Sequence, residues 1–275
     1  MLHCRDPEYG FLTYRCPQCG ETKTIPLACK SRICTSCGKR YADEWANKLA
    51  STLYAVSHRH MVFTIPEELR KVLDADRSLL KVLTDAVSRT MKQMIRDRRE
   101  AVPGVVCVLH IYGKDLQLNP HVHVLATEGG LTEKGEWVPV TFLEYGKLRH
   151  IWQYQLLTAV KKQLPKIWES ICLIDSLFKE HPEGFYIYAK RRVTKPRRIA
   201  RYIGRYLRHP AIAESRISHF NPVTNIVTFW YRVDREKKTV TMSALEFIDH
   251  LVRLIPDKNL KLIRYYGLYS RRTMG

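Results

Sequence analysis

Apolar positions along the chain recur with two periods, and those periods divide it into strands and helices. Val105-Val106-Cys107-Val108-Leu109-His110 and Asn119-Pro120-His121-Val122-His123-Val124-Leu125-Ala126 are short apolar runs rich in β-branched residues, which predict buried strands. His60-Met61-Val62-Phe63-Thr64-Ile65-Pro66 predicts an earlier strand ended by proline, and Phe185-Tyr186-Ile187-Tyr188-Ala189 a later one. Further strand-like runs cover Ile226 to Tyr231, Thr239 to Met242 and Lys261 to Tyr266. Helical spacing governs Ala42 to Tyr54, where Trp45, Leu49 and Leu53 share a face, and Glu67 to Glu100, which reads as one or two helices. A polar helical stretch runs from about Glu144 to Lys179 with a break at Pro165, and Ser243-Ala244-Leu245-Glu246 fits a capping box opening a helix to about Leu254. Glu128-Gly129-Gly130-Leu131 and Lys134-Gly135-Glu136 mark turns around a hairpin. From about residue 60 onward this mixture predicts one α+β domain built on a mostly antiparallel sheet.

The first segment lacks that patterning and is organised by cysteine. Six of the eight cysteines fall before residue 38. Cys16-Pro17-Gln18-Cys19 and Cys34-Thr35-Ser36-Cys37 are two knuckles whose four thiolates suit tetrahedral Zn²⁺, and a segment this small draws much of its folding energy from the metal. A redox dithiol would need one Cys-x-x-Cys on a thioredoxin-like unit, not a pair in a basic stretch holding Lys30, Arg32, Lys39 and Arg40. Cys4 and Cys29, with His3 nearby, are candidates for part of a second site. The predicted organisation is a zinc-ribbon-like, DNA-contacting module over residues 1–45 and a larger domain over 46–275, with a helical insertion near 144–180.

Within the larger domain two strands carry candidate chemistry. Residues at i and i+2 of a strand leave the same face, so His121 and His123 present two imidazoles side by side. If the preceding strand pairs antiparallel with theirs, His110 lies beside them as a third metal ligand. A hydrogen-bonded structural histidine is the competing reading of each. No Asp-His follows the dyad, because Val124, Leu125 and Ala126 come next, which excludes the His-x-His-x-Asp-His zinc hydrolase pattern.

Charge identifies the partner class. The 275 residues carry 46 Lys+Arg against 27 Asp+Glu, a formal net charge of +19, and aromatic residues are plentiful enough to stack on bases. Nucleic acid is therefore favoured over an anionic membrane. No apolar run approaches the roughly 20 residues that span a bilayer, and no signal-peptide h-region follows Met1, so a cytoplasmic protein is expected. The basic run Lys190, Arg191 and Arg192 leads into a helix whose Ile199, Tyr202 and Tyr206 share a face beside a stripe of Arg198, Arg201, Arg205 and Arg208. Two phenols one turn apart next to cations could act as nucleophiles on a phosphodiester, or they could be the apolar stripe of an amphipathic helix.

With His121-Val122-His123 and Tyr202-x-x-x-Tyr206 both present, the chain resembles the HUH rolling-circle transposases of two-tyrosine insertion sequences. The resemblance extends over nearly all of it: the cysteine-rich start, Val108-Leu109-His110, Asn119 to Val124 with Glu128-Gly129-Gly130-Leu131, Tyr188-Ala189-Lys190, Tyr202 to Tyr206 trailed by Ala211 to Arg216, and a closing Ile263-Arg264-Tyr265-Tyr266-Gly267. It departs at Ile33, where a histidine would be expected before the last cysteine knuckle. The resemblance implies an RRM-like sheet carrying the histidines, with the tyrosine helix packed across it. It further implies cleavage and rejoining of single-stranded DNA at insertion-sequence ends through a 5′-phosphotyrosine at Tyr202 or Tyr206, with Mg²⁺ or Mn²⁺ at His121, His123 and His110. A plasmid replication initiator or relaxase shares that chemistry, and a non-catalytic zinc-ribbon DNA-binding protein shares the charge and the cysteines.

Overall fold

The structure is a computed structural model that describes residues 3–31, 34–140, 143–165, 167–189, 198, 200, 203–204 and 212–270. Its strands are β1 (Phe11–Arg15), β2 (Thr22–Pro26), β3 (His58–Phe63), β4 (Gly104–Tyr112), β5 (Leu118–Thr127), β6 (Gly129–Leu131), β7 (Trp137–Pro139), β8 (Ile187–Ala189), β9 (Ile217–Asn221), β10 (Ile226–Val233), β11 (Glu236–Ser243) and β12 (Ile263–Gly267). Its helices are α1 (Thr35–Thr52), α2 (Glu67–Ala75), α3 (Leu80–Arg99), α4 (Tyr145–Lys161), α5 (Trp168–Glu180) and α6 (Ala244–Arg253). The α+β class expected from the sequence is the one found. The hairpin β1–β2 and the strand β9 are additions to the elements expected from the sequence: they are exposed on both faces and so carry no apolar-in, polar-out alternation. The helix α1 begins at Thr35 and runs unbroken through position 45, so the expected domain limit falls inside a helix.

The main sheet has the order β12-β4-β5-β3-β8, with each neighbouring pair antiparallel. Its central strands read as nearly continuous apolar runs because both sheet faces are covered. One face takes Met61 and Phe63 of β3, Val105, Cys107 and Leu109 of β4, and Val122, Val124 and Ala126 of β5, which pack with the apolar sides of α2, α3, α4 and α5. The stretch from Glu144 to Lys179 is thus part of the core: Trp152 of α4 is fully buried and its Nε1 donates to the Thr64 carbonyl at 2.8 Å. Arg59 donates to the buried carboxylate of Glu128 at 2.7 Å and to the Tyr145 hydroxyl at 2.6 Å, joining β3 to the start of α4.

The opposite face shows alternate residues. Val106 and Val108 of β4 and Leu125 of β5 are buried there against Ala46 and Leu49 of α1, together with Ala200, Ile203 and Tyr269. Strand β12 presents Ile263 and Tyr265 to the same cluster, and the Tyr265 hydroxyl accepts from Trp45 Nε1 of α1 at 2.9 Å. Its other residues face the helices, where the Tyr266 hydroxyl donates to Asp85 at 2.7 Å. Gly267 ends the strand at φ +58, and a Cβ there would lie 1.8 Å from the Pro103 carbonyl oxygen, so only glycine fits. The closing Ile-Arg-Tyr-Tyr-Gly run is therefore a two-faced clamp between α1 and α3.

A smaller sheet, β11-β10-β9, packs Val227 and Phe229 against Phe247 of α6 and forms its own core with Leu116, Ile212 and Leu254. Among the described residues no helix is long and apolar enough to cross a membrane.

Candidate active site and metal centres

The antiparallel register of β4 and β5 sets His110 opposite His121, and His123 opposite Val108. By strand alternation all three histidines leave the face that also carries Val106, Val108 and Leu125. Their nearest ring nitrogens lie within 4.8 Å of one another, with His110 Nδ1 and His121 Nε2 at 3.1 Å. His121 Nδ1 donates to the Asn119 carbonyl at 2.6 Å, which fixes the ring orientation and turns Nε2 toward the cluster. The structure thus brings His110, His121 and His123 together.

Burial, reinforced by His121, pulls His110 down to about 3. Burial also lowers His121, against the opposing effect of its bond to Asn119 and with help from the charge of Arg70 on α2. Neutral imidazoles are the form that binds metal, so three converging nitrogens on a rigid sheet fit a divalent ion. Tyr112 stacks at a tilt beside His110 with ring centroids 4.1 Å apart, and burial pushes its phenol up to about 12.

Reading the sequence missed a fourth histidine. His60 of β3 is buried, and its Nε2 lies 3.2 Å from His123 Nδ1 with the two rings nearly parallel at 14°. The signal was available, because His58-Arg59-His60 repeats the His-x-His spacing. His58 itself is structural: Nδ1 donates to the Val56 carbonyl at 2.8 Å, and Nε2 accepts from the Tyr269 hydroxyl at 2.6 Å.

The tyrosine segment is only partly described. Tyr202 and Tyr206 lie outside the described residues, as do Lys190, Arg191, Arg192, Arg201, Arg205 and Arg208. Arg198 is described and exposed. Ala200 and Ile203 are helical and fully buried on the histidine face of the sheet. Gly204 fits closely under α1: a Cβ there would lie 3.1 Å from the Ala42 carbonyl oxygen and 3.3 Å from Ala46 Cβ.

The cysteines group differently from the spacing-based expectation. Cys34 and Cys37 are joined by Cys4 and Cys29, with all four sulfurs within 4.8 Å of one another. Cys16 and Cys19 are not in this group. The β1–β2 register pairs Arg15 with Thr22 and Phe11 with Pro26. It carries Cys16 and Cys19 to the tip of the hairpin, roughly 16 Å of strand away from the open end that holds Cys4 and Cys29. In the group, Cys4 Sγ is 3.5 Å and Cys29 Sγ 3.9 Å from Cys37 Sγ, near the ~3.8 Å edge of a tetrahedron with Zn–S bonds of about 2.3 Å. Burial opposes the Cys34 thiolate, but the Cys37 backbone N–H and the surrounding thiols outweigh it and hold the group down at about 7. This donor set fits a structural zinc ion that ties α1 to the amino-terminal hairpin.

Comparison with known proteins agrees with a zinc-binding cysteine cluster at the amino end. A family model described as "Transposase zinc-binding domain" matches residues 1–65, and one described as "Putative transposase" matches residues 104–274. The chain is 30% identical over 288 residues to the transposase for insertion sequence element IS801 of Pseudomonas savastanoi pv. phaseolicola, an alignment covering 100% of this chain and 70% of the relative. It is 26% identical over 290 residues to the protein named "Putative transposase y4qJ" of Sinorhizobium fredii (strain NBRC 101917 / NGR234), covering 98% of this chain and 72% of that one. No solved structure matches the chain. Matched along its whole length by a transposase and over more than half of it by the transposase family model, the chain belongs to this transposase family and carries the transposase zinc-binding domain at its amino end.

Proposed function

We propose that this transposase nicks and rejoins single-stranded DNA at insertion-sequence ends through a covalent 5′-phosphotyrosine, with His110, His121 and His123 as ligands of a divalent ion and Tyr202 and Tyr206 as nucleophiles. One observation carries the reading: three imidazoles converge on the same sheet face that takes Ala200 and Ile203 of the tyrosine segment. His110, His121 and His123 would hold Mg²⁺ or Mn²⁺, which when bound would supply positive charge to polarise the scissile phosphate. Three nitrogen donors without a carboxylate lean towards Mn²⁺.

In the forward step a tyrosine oxygen attacks phosphorus, the bond from phosphorus to the 3′-oxygen breaks, and that oxygen leaves as a 3′-hydroxyl after taking a proton. A free phenol titrates near ~10, so the cationic run from Lys190 to Arg208 has the task of stabilising phenolate and phosphate together. The ester keeps the bond energy, and a 3′-hydroxyl of another strand reverses the step without ATP. The surplus of positive charge fits the DNA partner.

The test is incubation of the full chain with single-stranded candidate end sequences and Mn²⁺, followed by a denaturing gel. A covalent adduct is expected for the wild type and for each of Tyr202→Phe and Tyr206→Phe, and none for the double substitution or for His121→Ala. No wild-type adduct, or an adduct that survives the double substitution, overturns the reading.

A further inference from the structure

The small sheet carries a surface that neither metal centre uses. Along β10, Val227 and Phe229 point into the core with α6, so Thr228, Trp230 and Arg232 point away from it. Register places Thr241, Thr239 and Lys237 of β11 beside them, and the Thr228 and Thr241 hydroxyls lie 3.1 Å apart on that outward face. Over the Trp230 ring stand three cations: Lys237 Nζ at 5.0 Å from its centroid, Arg232 at 5.4 Å and Arg216 at 5.9 Å, each on a flexible side chain that can turn aside to a phosphate. No carboxylate occupies an outward position of β10 or β11, and among the described residues none of these three cations forms an ion pair.

Three like charges gathered on one indole repel one another unless an anion joins them. The anion that suits this face has a flat aromatic part for Trp230 and negative charge at its margin for Arg216, Arg232 and Lys237. We infer that the outward face of β9–β10–β11 is a binding platform for single-stranded DNA, in which an unpaired base stacks on Trp230 and the flanking phosphates lie among the three cations. An anionic membrane fits poorly, because threonines rather than large apolar side chains surround the indole. Duplex DNA fits poorly too, since its bases are already stacked on one another and have no free face for the indole. The proposal deepens the transferase reading and rests on it for the identity of the ligand: the platform holds a stretch of the strand away from the histidine cluster.

Equilibrium binding without added divalent ion separates the two claims, because no cleavage occurs. Fluorescein-labelled dT20, a duplex of equal length and U20 are titrated with the full chain, with melting temperatures as the check on folding. Trp230→Ala is expected to weaken dT20 binding about tenfold and duplex binding by less than twofold, while Trp230→Phe stays close to wild type. Arg232→Gln/Lys237→Gln, which spares the core, is expected to lower the salt dependence for dT20 by about 1.4 in log–log slope. If Trp230→Ala does not fold, that slope decides. Unchanged dT20 affinity in a folded Trp230→Ala protein, equal loss of dT20 and duplex binding, an unchanged slope, or a preference for U20 each overturns the platform. Wild-type adduct formation with unaffected binding in the variants sinks the platform alone; the expected binding pattern without any adduct sinks the transferase reading and leaves the platform standing.

Discussion

His123 meets the cluster on one side and His60 on the other, and that second contact has a measurable consequence. A ring bonded at Nδ1 keeps its orientation and its tautomer, which leaves Nε2 to face His110 and His121. His60→Leu should therefore lower Mn²⁺ affinity about 10- to 100-fold in an electron paramagnetic resonance titration, with zinc content unchanged and partial recovery in His60→Gln. Wild-type affinity in His60→Leu removes it from this positioning role. His58, two residues away, behaves oppositely. Burial holds its pKa below the usual value despite the Val56 carbonyl, which favours the proton. Above about 6.5 the ring is neutral in folded and unfolded chains alike. Below that the unfolded chain takes up a proton that the folded one resists, so His58 favours unfolding as the pH falls. A His58→Gln protein should lose less melting temperature than the wild type between pH 7.5 and 5.5; equal losses would discard the idea. Sequence spacing pointed to His121 and His123, while the same spacing at His58 and His60 went unread and does not by itself give the roles of either pair. Those depend on the strand register: His60 sits beside His123, whereas His58 sits against Tyr269.

At the scale of elements, α1 is the piece that joins the centres. Its first turn carries Cys37 and is capped by Cys34, and its middle buries Ala46 and Leu49 on the histidine face. Gly204 lies tightly against this helix, so that a larger side chain would press on the Ala42 carbonyl and on Ala46. Gly204→Leu should cost about 1–3 kcal/mol by overpacking and reduce adduct formation at least tenfold while Mn²⁺ binding holds. Unchanged adduct formation would show that α1 does not position the segment. For the zinc cluster, Cys4→Ser/Cys29→Ser is expected to release the bound zinc and lower the melting temperature, whereas Cys16→Ser/Cys19→Ser leaves that ion in place; metal analysis of both proteins decides. The strands around the histidines were legible because their apolar runs are long and β-branched. The cysteine partners were not, because the β1–β2 hairpin that separates the two knuckles has exposed residues on both faces and so leaves no periodic trace. The core role of α4 was hidden in the same way, since its charged ends dilute a buried middle that includes Trp152 and Leu156.

At the scale of the molecule, the two-sided burial of the main sheet gives its faces different tasks. One side holds the helical layer, and the other holds the histidines, Ile263 and Tyr265 of β12 and the described part of the tyrosine segment. The class and the antiparallel sheet followed from alternating strand and helix patterns, but the order β12-β4-β5-β3-β8 did not, because pairing Gly104 with Gly267 leaves no local signature. That pairing also has a consequence in time. While the ribosome is still making the middle of the protein, β4 has only β5 beside it, and its other edge offers a row of unmatched amides and carbonyls to any neighbour. At 5–20 residues per second the wait for β12 is on the order of ten seconds. A chain halted near residue 250 should consequently accumulate as aggregate rather than as a weakened enzyme, and supplying a peptide of residues 258–270 during synthesis should return part of it to the supernatant. In a cell, this ties assembly of the main sheet to synthesis of β12, so messages interrupted before that strand yield no completed sheet.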